Sequence, residues 1–132
     1  MGMIIEIRAE TDILTARQAG RELAKKAGFG LIDETRIVTA ISELARNILK
    51  YAGTGTVKIN SISKEGKKGI EIICEDEGPG IADLDRVLKG GFSTSGGLGR
   101  GISGTRELMD EFHIESELGH GTKVVVRKWL RN

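Results

Sequence analysis

Residues 56–80 read TVKINSISKEGKKGIEIICEDEGPG, and this stretch decides the fold. Apolar and polar residues alternate on both sides of the segment KEGKK, residues 64–68, as they do in strands that bury one face. The pattern predicts a β-hairpin with strands over 56–63 and 69–76. Asp76 lies at the end of the second strand on its inward face, and Gly-Pro-Gly follows one residue later. We therefore expect a buried hairpin with a carboxylate at its end.

The rest of the chain supplies further strands and helices around this hairpin. The same patterns predict strands over 3–8, 113–118 and 122–130, helices over 12–26, 33–51, 82–88 and 102–112, and a loop over 89–101. The resulting order, β-α-α-β-β-α-α-β-β, predicts an α+β fold, a two-layer α/β sandwich with a mixed sheet and helices on one face. No repeat or long linker divides the 132 residues, so we expect a single domain over 1–132.

The composition limits the chemistry and the compartment. The formal net charge is +1, which gives no electrostatic reason to expect nucleic-acid binding. The apolar runs are only a few residues long, so no membrane insertion is expected. Cys74 is the only cysteine, so no internal disulfide can form, and we expect a reducing, cytoplasmic location.

Glycine is concentrated in one third of the chain. The sequence has 19 glycines, and eleven of them lie between Gly78 and Gly121. Residues 89–101, KGGFSTSGGLGRG, precede a predicted helix, where successive backbone N–H groups form a site for anions. The glycine spacing is neither that of a P-loop nor that of a dinucleotide-binding turn. The alternative is a surface loop without a ligand.

Two polar positions elsewhere suggest chemistry. Glu43 and Asn47 are four residues apart, so they lie one helical turn apart beside the apolar stripe of the second helix. A carboxylate and an amide there can line a cleft, although an exposed surface pair is the alternative. Asp76 can accept a hydrogen bond from a ligand amine, or it can simply stabilise a Gly-Pro turn.

The order of these segments resembles that of the GHKL superfamily of ATP-binding domains. The helix with Glu43 and Asn47 is similar to the N box of the superfamily. Asp76-x-Gly78-x-Gly80, Gly97-Leu-Gly99-Arg-Gly101 and Gly121-Thr122 resemble its three glycine motifs in the same order. The resemblance covers nearly the whole chain and implies the α/β sandwich with bound ATP.

The resemblance also implies a role for each matching residue. Asn47 is expected to ligate a Mg²⁺ ion bound to the phosphates of ATP, and Glu43 is expected to take the proton from a substrate hydroxyl. Asp76 is expected to bind the adenine amino group, with Thr122 in support. The other expected nucleotide contacts are Gly78, Gly80, Ser93, Thr94, Gly97, Leu98, Gly99 and Gly101. Arg100 has no assigned counterpart in the superfamily; we expect it to contact phosphate or substrate, and an exposed arginine is the alternative.

A narrower resemblance concerns the substrate. The stretches SELARNILKYAG, DEGPGI and GGFSTSGGLGRGISGTRELMDEF resemble the switch-protein serine/threonine kinases of the bacterial stressosome more than the anti-sigma-factor kinases. Such kinases phosphorylate STAS-domain proteins and then activate a phosphatase of the PPM type. For this chain we expect the same activity and partners. The alternatives are an anti-sigma factor that acts mainly by binding and a histidine-kinase-like catalytic domain that acts in trans.

Overall fold

Five strands and three α-helices make up the part of the chain that the structure describes. The computed structural model describes residues 2–79 and 98–131, and for residues 98–101 and 103 it describes the backbone only. In chain order the elements are β1 (Gly2–Ile7), α1 (Glu10–Ala27), α2 (Leu31–Asn47), a π-helical turn (Ile48–Ala52), β2 (Gly55–Lys64), β3 (Lys67–Asp76), α3 (Leu98–Leu108), β4 (Glu111–Glu117) and β5 (Gly121–Trp129).

The strands form one sheet in the order β1-β2-β3-β5-β4. The predicted hairpin is confirmed, with Val57 opposite Cys74 and Ile59 opposite Ile72. The predicted mixed sheet is wrong, because all four pairings among the described strands are antiparallel. The β4–β5 hairpin folds back so that β5 lies between β3 and β4 and opposes both. β4 therefore has the direction of β3 without being its neighbour.

The helices cover one face of this sheet, as predicted. Ile7, Ile59 and Ile72 of the sheet are fully buried, as are Ile37 and Ile41 of α2. Burying each isoleucine side chain contributes roughly 1.5–3 kcal/mol, so this layer supplies most of the driving force for folding. The predicted α+β two-layer sandwich is confirmed in the described residues.

Two predicted boundaries are wrong around the glycine-rich segment. The loop was expected to continue to residue 101, but α3 begins at Leu98. A helix tolerates glycine best in its first turn, where the N–H groups have no partner within the helix. α3 also ends at Leu108 rather than at residue 112, because Phe112 already pairs with Val126 in the sheet.

A buried lysine fixes the far end of α3. Lys128 of β5 is 4% exposed, and its Nζ donates a hydrogen bond of 3.0 Å to the main-chain oxygen of Leu108. The same Nζ lies 3.7 Å from Asp110 and 3.8 Å from Asp33. The end of α3, the start of α2 and β5 are thus joined at the end of the sheet opposite Asp76.

Asp110 makes the stability of this end dependent on pH. Burial alone would raise the pKa of Asp110, but the Trp129 backbone N–H, Lys128 and Arg131 outweigh it and hold the pKa below its usual range. A carboxyl group whose pKa is lower in the folded protein contributes stability at pH values above its unfolded pKa of about 4. That contribution is lost as the pH falls through the folded pKa. We expect Asp110→Asn to cost roughly 1–3 kcal/mol at pH 7. In urea unfolding the difference from wild type should shrink below about pH 4, and a constant difference would contradict this role.

Candidate active site

The candidate site lies where β3 ends between β2 and β5. Asp76 is opposite Gly55 on one side and Thr122 on the other. Its Oδ1 accepts a hydrogen bond of 2.9 Å from the Gly78 N–H. Burial raises the pKa of Asp76, and the backbone N–H groups of Gly78 and Thr122 offset part of that rise. The carboxylate is therefore half-buried and held by the main chain, at the position that the strand pattern predicts.

Two glycines allow the backbone around Asp76 to pack closely. A Cβ on Gly78 would lie 2.6 Å from the Cβ of Ala52 in the π turn. Gly121 has φ +87°, and a Cβ there would overlap the main-chain oxygen of Asp76. These glycines hold the segment after β3 between the π turn and the start of β5. Protein packing thus accounts for both residues before any ligand is considered.

We expect Gly121→Ala to destabilise the fold by roughly 2–3 kcal/mol, because the added methyl group is both strained and obstructed. Gly119 in the same turn has φ +83°, but no atom of the described residues lies within 4 Å of an added Cβ. Gly119→Ala is therefore the matched control and should cost only about 1 kcal/mol. Equal losses for the two variants in thermal unfolding would show that the close approach to Asp76 does not matter.

The Thr122 side chain contacts Ser116, and the Thr122 backbone N–H donates a hydrogen bond to Asp76. The Thr122 and Ser116 hydroxyl oxygens are 2.8 Å apart, and Ser116 also lies 3.1 Å from the main-chain oxygen of Gly121. Ser116 did not emerge from the sequence, because its position opposite Thr122 depends on the β4–β5 register. The sequence feature that could have revealed Ser116 is a hydroxyl residue five positions before Gly121 on a short predicted hairpin.

Glu43 and Asn47 lie one helical turn apart at the end of α2, at the margin of the buried face as predicted. The Glu43 side chain is 37% exposed, and its Oε1 lies 3.3 Å from Nη1 of Arg46. The Asn47 side-chain nitrogen is buried and has no hydrogen-bond partner among the described residues. An unpartnered buried amide usually costs roughly 1–3 kcal/mol, which favours a site that a ligand completes.

Tyr51 is a candidate site residue that the sequence did not reveal. Its hydroxyl is also buried without a partner among the described residues. The sequence predicts a helix to residue 51, whereas α2 ends at Asn47 and Ile48–Ala52 form a π turn. Such turns occur often at functional sites. The sequence signal was the spacing of four between Asn47 and Tyr51.

Contacts join the π turn to the segment around Asp76. A Cβ built on Gly55 would meet the Ile48 side chain at 2.7 Å and the Cβ of Asp76 at 3.2 Å. Ile48 directly follows Asn47, so the amide and the carboxylate belong to one region of the molecule. Glu43 lies one helical turn before Asn47 and forms an ion pair with Arg46.

Part of the predicted nucleotide site lies outside the described residues. This applies to Gly80, Ser93, Thr94 and Gly97, and to the predicted helix over 82–88. For Leu98, Gly99, Arg100 and Gly101 the backbone begins α3.

Comparison with known families decides the classification. Residues 32–132 match the model of the histidine kinase-, DNA gyrase B- and HSP90-like ATPases. The chain belongs to this ATPase family. The predicted GHKL resemblance is thereby confirmed, and the site described above lies within the matched residues.

Relatives refine the position of the chain in the ATPase family. The chain is 55% identical to the serine/threonine-protein kinase RsbT of Bacillus subtilis over 127 residues, which is 96% of each chain. It is 33% identical to an anti-sigma F factor of Caldanaerobacter subterraneus over 71% of this chain and 68% of that protein. The first similarity confirms the prediction that the chain is an enzyme, a protein kinase of the ATPase family.

A solved structure agrees with the fold. The mycobacterial sensor histidine kinase MprB superposes with a TM-score of 0.60 at 14% identity and covers 98% of this chain and 97% of that one. The two-layer architecture is therefore that of the ATPase family. Among the described helices, none has the length and apolar character that crossing a membrane would require.

Proposed function

We propose that this chain is a serine/threonine protein kinase that uses Mg-ATP to phosphorylate STAS-domain proteins in a bacterial stress-signalling partner switch. The observation that carries the proposal is the buried side-chain nitrogen of Asn47, which lacks a partner in the described residues and lies one turn from Glu43. A metal ligand and a proton acceptor must be neighbours when both act on one phosphoryl group.

In this proposal Asp76 and Asn47 bind opposite ends of the nucleotide. Asp76 accepts a hydrogen bond from the adenine amino group. Its carboxylate is held in place for this, because its Oδ1 already accepts a hydrogen bond from the Gly78 N–H. Asn47 holds Mg²⁺ through its amide oxygen. Its buried side-chain nitrogen, which has no partner among the described residues, then donates a hydrogen bond to a phosphate oxygen. When bound, Mg²⁺ neutralises the phosphate charge that develops during transfer.

Glu43 performs the proton transfer. Its carboxylate accepts the proton from the substrate Ser or Thr hydroxyl while that oxygen bonds to the γ-phosphorus. The bond between the γ-phosphorus and the β–γ bridging oxygen breaks, and ADP leaves with that oxygen. The ion pair with Arg46 keeps the Glu43 carboxylate on one side of the helix.

The similarity to RsbT over 96% of the chain supports the partners that we propose. The substrate is a STAS-domain protein, and after its release the kinase activates a PPM-type phosphatase. A cytoplasmic location agrees with the single, buried Cys74.

An anti-sigma factor is the second candidate, because anti-sigma F factors match the chain at 33% identity over 100 residues. Such a protein would hold its partner by affinity. A wild-type chain that binds a STAS-domain protein with ATP and Mg²⁺ present, but never transfers phosphate, would favour this function.

Asp76→Asn tests the nucleotide assignment. The change turns a group that only accepts into one that also donates, and we expect ATP binding to weaken by roughly 1–3 kcal/mol in calorimetry. Glu71→Gln is the matched control, because Glu71 lies on the other face of β3, where its Oε2 is 2.8 Å from Nε of Arg127. Unchanged ATP affinity in Asp76→Asn would remove Asp76 from adenine binding.

A further inference from the structure

Three lysines gather at the end of the sheet opposite Asp76. Lys64, Lys67 and Lys68 are exposed at the β2–β3 turn, and none forms an ion pair with a residue that the structure describes. Lys64 and Lys67 are directly opposite each other across the turn Glu65–Gly66. Like charges in that position destabilise a hairpin. The stability of the fold therefore does not explain these lysines.

Trp129 and Arg131 complete this surface. The Trp129 backbone N–H donates a hydrogen bond of 2.8 Å to Asp110, and the indole N–H donates a hydrogen bond to Glu111. These two bonds hold the ring in place. A Cβ on Gly69 would lie 2.7 Å from the indole ring, so the ring rests against the β3 backbone. A shallow groove of about 500 Å³ runs beside the ring. We call Lys64, Lys67, Lys68, Trp129 and Arg131 the basic end.

The acids of the groove are mostly neutralised. Asp110 lies 2.8 Å from Arg131, and Glu111 lies 3.2 Å from Arg127. The three lysines of the turn face only two acids among the described residues, Glu65 in the turn and Glu111, whose pKa Lys64 helps to lower. The basic end is thus positive although the whole chain carries a formal net charge of only +1.

The opposite end of the sheet is acidic. Two cavities border Asp76 there, and their linings include Glu6, Glu75, Glu77, Glu115 and Glu117. β3 has ten residues, which span roughly 33 Å between the two ends. The molecule is therefore polarised along its strands, with the candidate active site at the negative end.

We propose that the basic end docks an acidic segment of the protein substrate, remote from the phosphate-transfer site. This inference rests on the proposed kinase function. Docking through a second site raises the effective concentration of the acceptor residue at the active site. A domain of about 100 residues has a radius of gyration near 13 Å, so a single substrate domain with a short tail can reach both ends.

The chemistry of the basic end favours a protein over a nucleic acid. Trp and Arg are enriched at protein interfaces. Leu31 and Ile32 are 74% and 72% exposed at the start of α2. The adjacent Asp33 lies 3.8 Å from Lys128, so this apolar pair borders the same end. A nucleic-acid surface is much more positively charged than a protein interface, whereas here Glu65, Asp110 and Glu111 lie among the basic residues.

A charge reversal tests the proposal. The Lys67→Glu/Lys68→Glu variant is compared with wild type for phosphorylation of a purified STAS-domain protein and for binding of that protein by calorimetry. We expect KM for the protein to rise at least tenfold, with kcat and KM for ATP unchanged. Thermal stability should stay equal or rise, because Lys67→Glu replaces repulsion of Lys64 with attraction. Lys25→Glu/Lys26→Glu on exposed α1 positions is the control of equal charge.

The outcomes separate this proposal from the kinase function. Wild type that binds the STAS-domain protein without phosphorylating it refutes the kinase function, and docking still stands if the variant loses that binding. An unchanged KM and affinity in the variant overturns docking alone, as does an equal loss in the Lys25/Lys26 control. Absence of binding by wild type overturns both. A DNA or RNA oligonucleotide is the last probe. If wild type and the Lys25/Lys26 control bind it and the Lys67/Lys68 variant does not, the surface binds nucleic acid and the proposal is overturned.

Discussion

An Asn47→Ala variant is expected to lose Mg²⁺-dependent ATP binding and phosphotransfer while its fold keeps its stability. The amide is the only metal ligand that we propose for the chain, so transfer should fall by at least about 100-fold. In the ligand-free protein the same change removes a buried side-chain nitrogen that has no partner among the described residues. That gain offsets the lost packing, so the free energy of unfolding should change by less than about 1 kcal/mol.

The two readouts separate a functional amide from a structural one. ATP titrations with and without Mg²⁺ measure the metal dependence, and urea unfolding measures stability. Asn47→Asp keeps an oxygen ligand at this position and should recover part of the metal-dependent binding. A variant Asn47→Ala that unfolds readily, or that binds Mg-ATP like wild type, would contradict the assignment.

Glu43→Gln is expected to slow phosphotransfer by about 10²–10⁴-fold, the usual contribution of a general base. ATP binding and partner binding should persist, because the glutamine has the same shape and Glu43 touches neither adenine nor metal in our proposal. The loss of the ion pair with Arg46 should cost at most about 1 kcal/mol, since both side chains are more than one-third exposed.

Arg46→Ala is the matched control for Glu43. It removes the ion-pair partner and leaves the carboxylate, so single-turnover transfer should stay within a few-fold of wild type. Transfer by Glu43→Gln at the wild-type rate would exclude Glu43 as the base and leave the nucleotide site intact.

Local patterns predicted the hairpin of β2 and β3 because one face of it is buried. Ile70, Ile72 and Cys74 point into the core, and the alternation in the sequence records this burial. The same pattern placed Asp76 at the rim of the core. The apolar stripe of α2 likewise placed Glu43 and Asn47 at the edge of the buried face.

Features that depend on long-range packing were not predictable. Strand direction and the pairing of Ser116 with Thr122 depend on how the β4–β5 hairpin docks on β3. The π turn after Asn47 differs from an α-helix in hydrogen-bond register, which side-chain periodicity does not encode. Gly78, which we expect to contact the nucleotide, packs against Ala52, and Gly121 packs against the Asp76 backbone; local sequence patterns show neither neighbour.

Phosphate transfer to a STAS-domain protein tests the kinase function most directly. The purified chain is incubated with γ-labelled ATP, Mg²⁺ and the STAS-domain protein, and the labelled residue is mapped by mass spectrometry. We expect label on a serine or threonine of the STAS-domain protein with wild type and with Arg46→Ala, and a loss of at least about 100-fold with Glu43→Gln. A stable complex of wild type with the STAS-domain protein in which no label ever leaves ATP would contradict the kinase function.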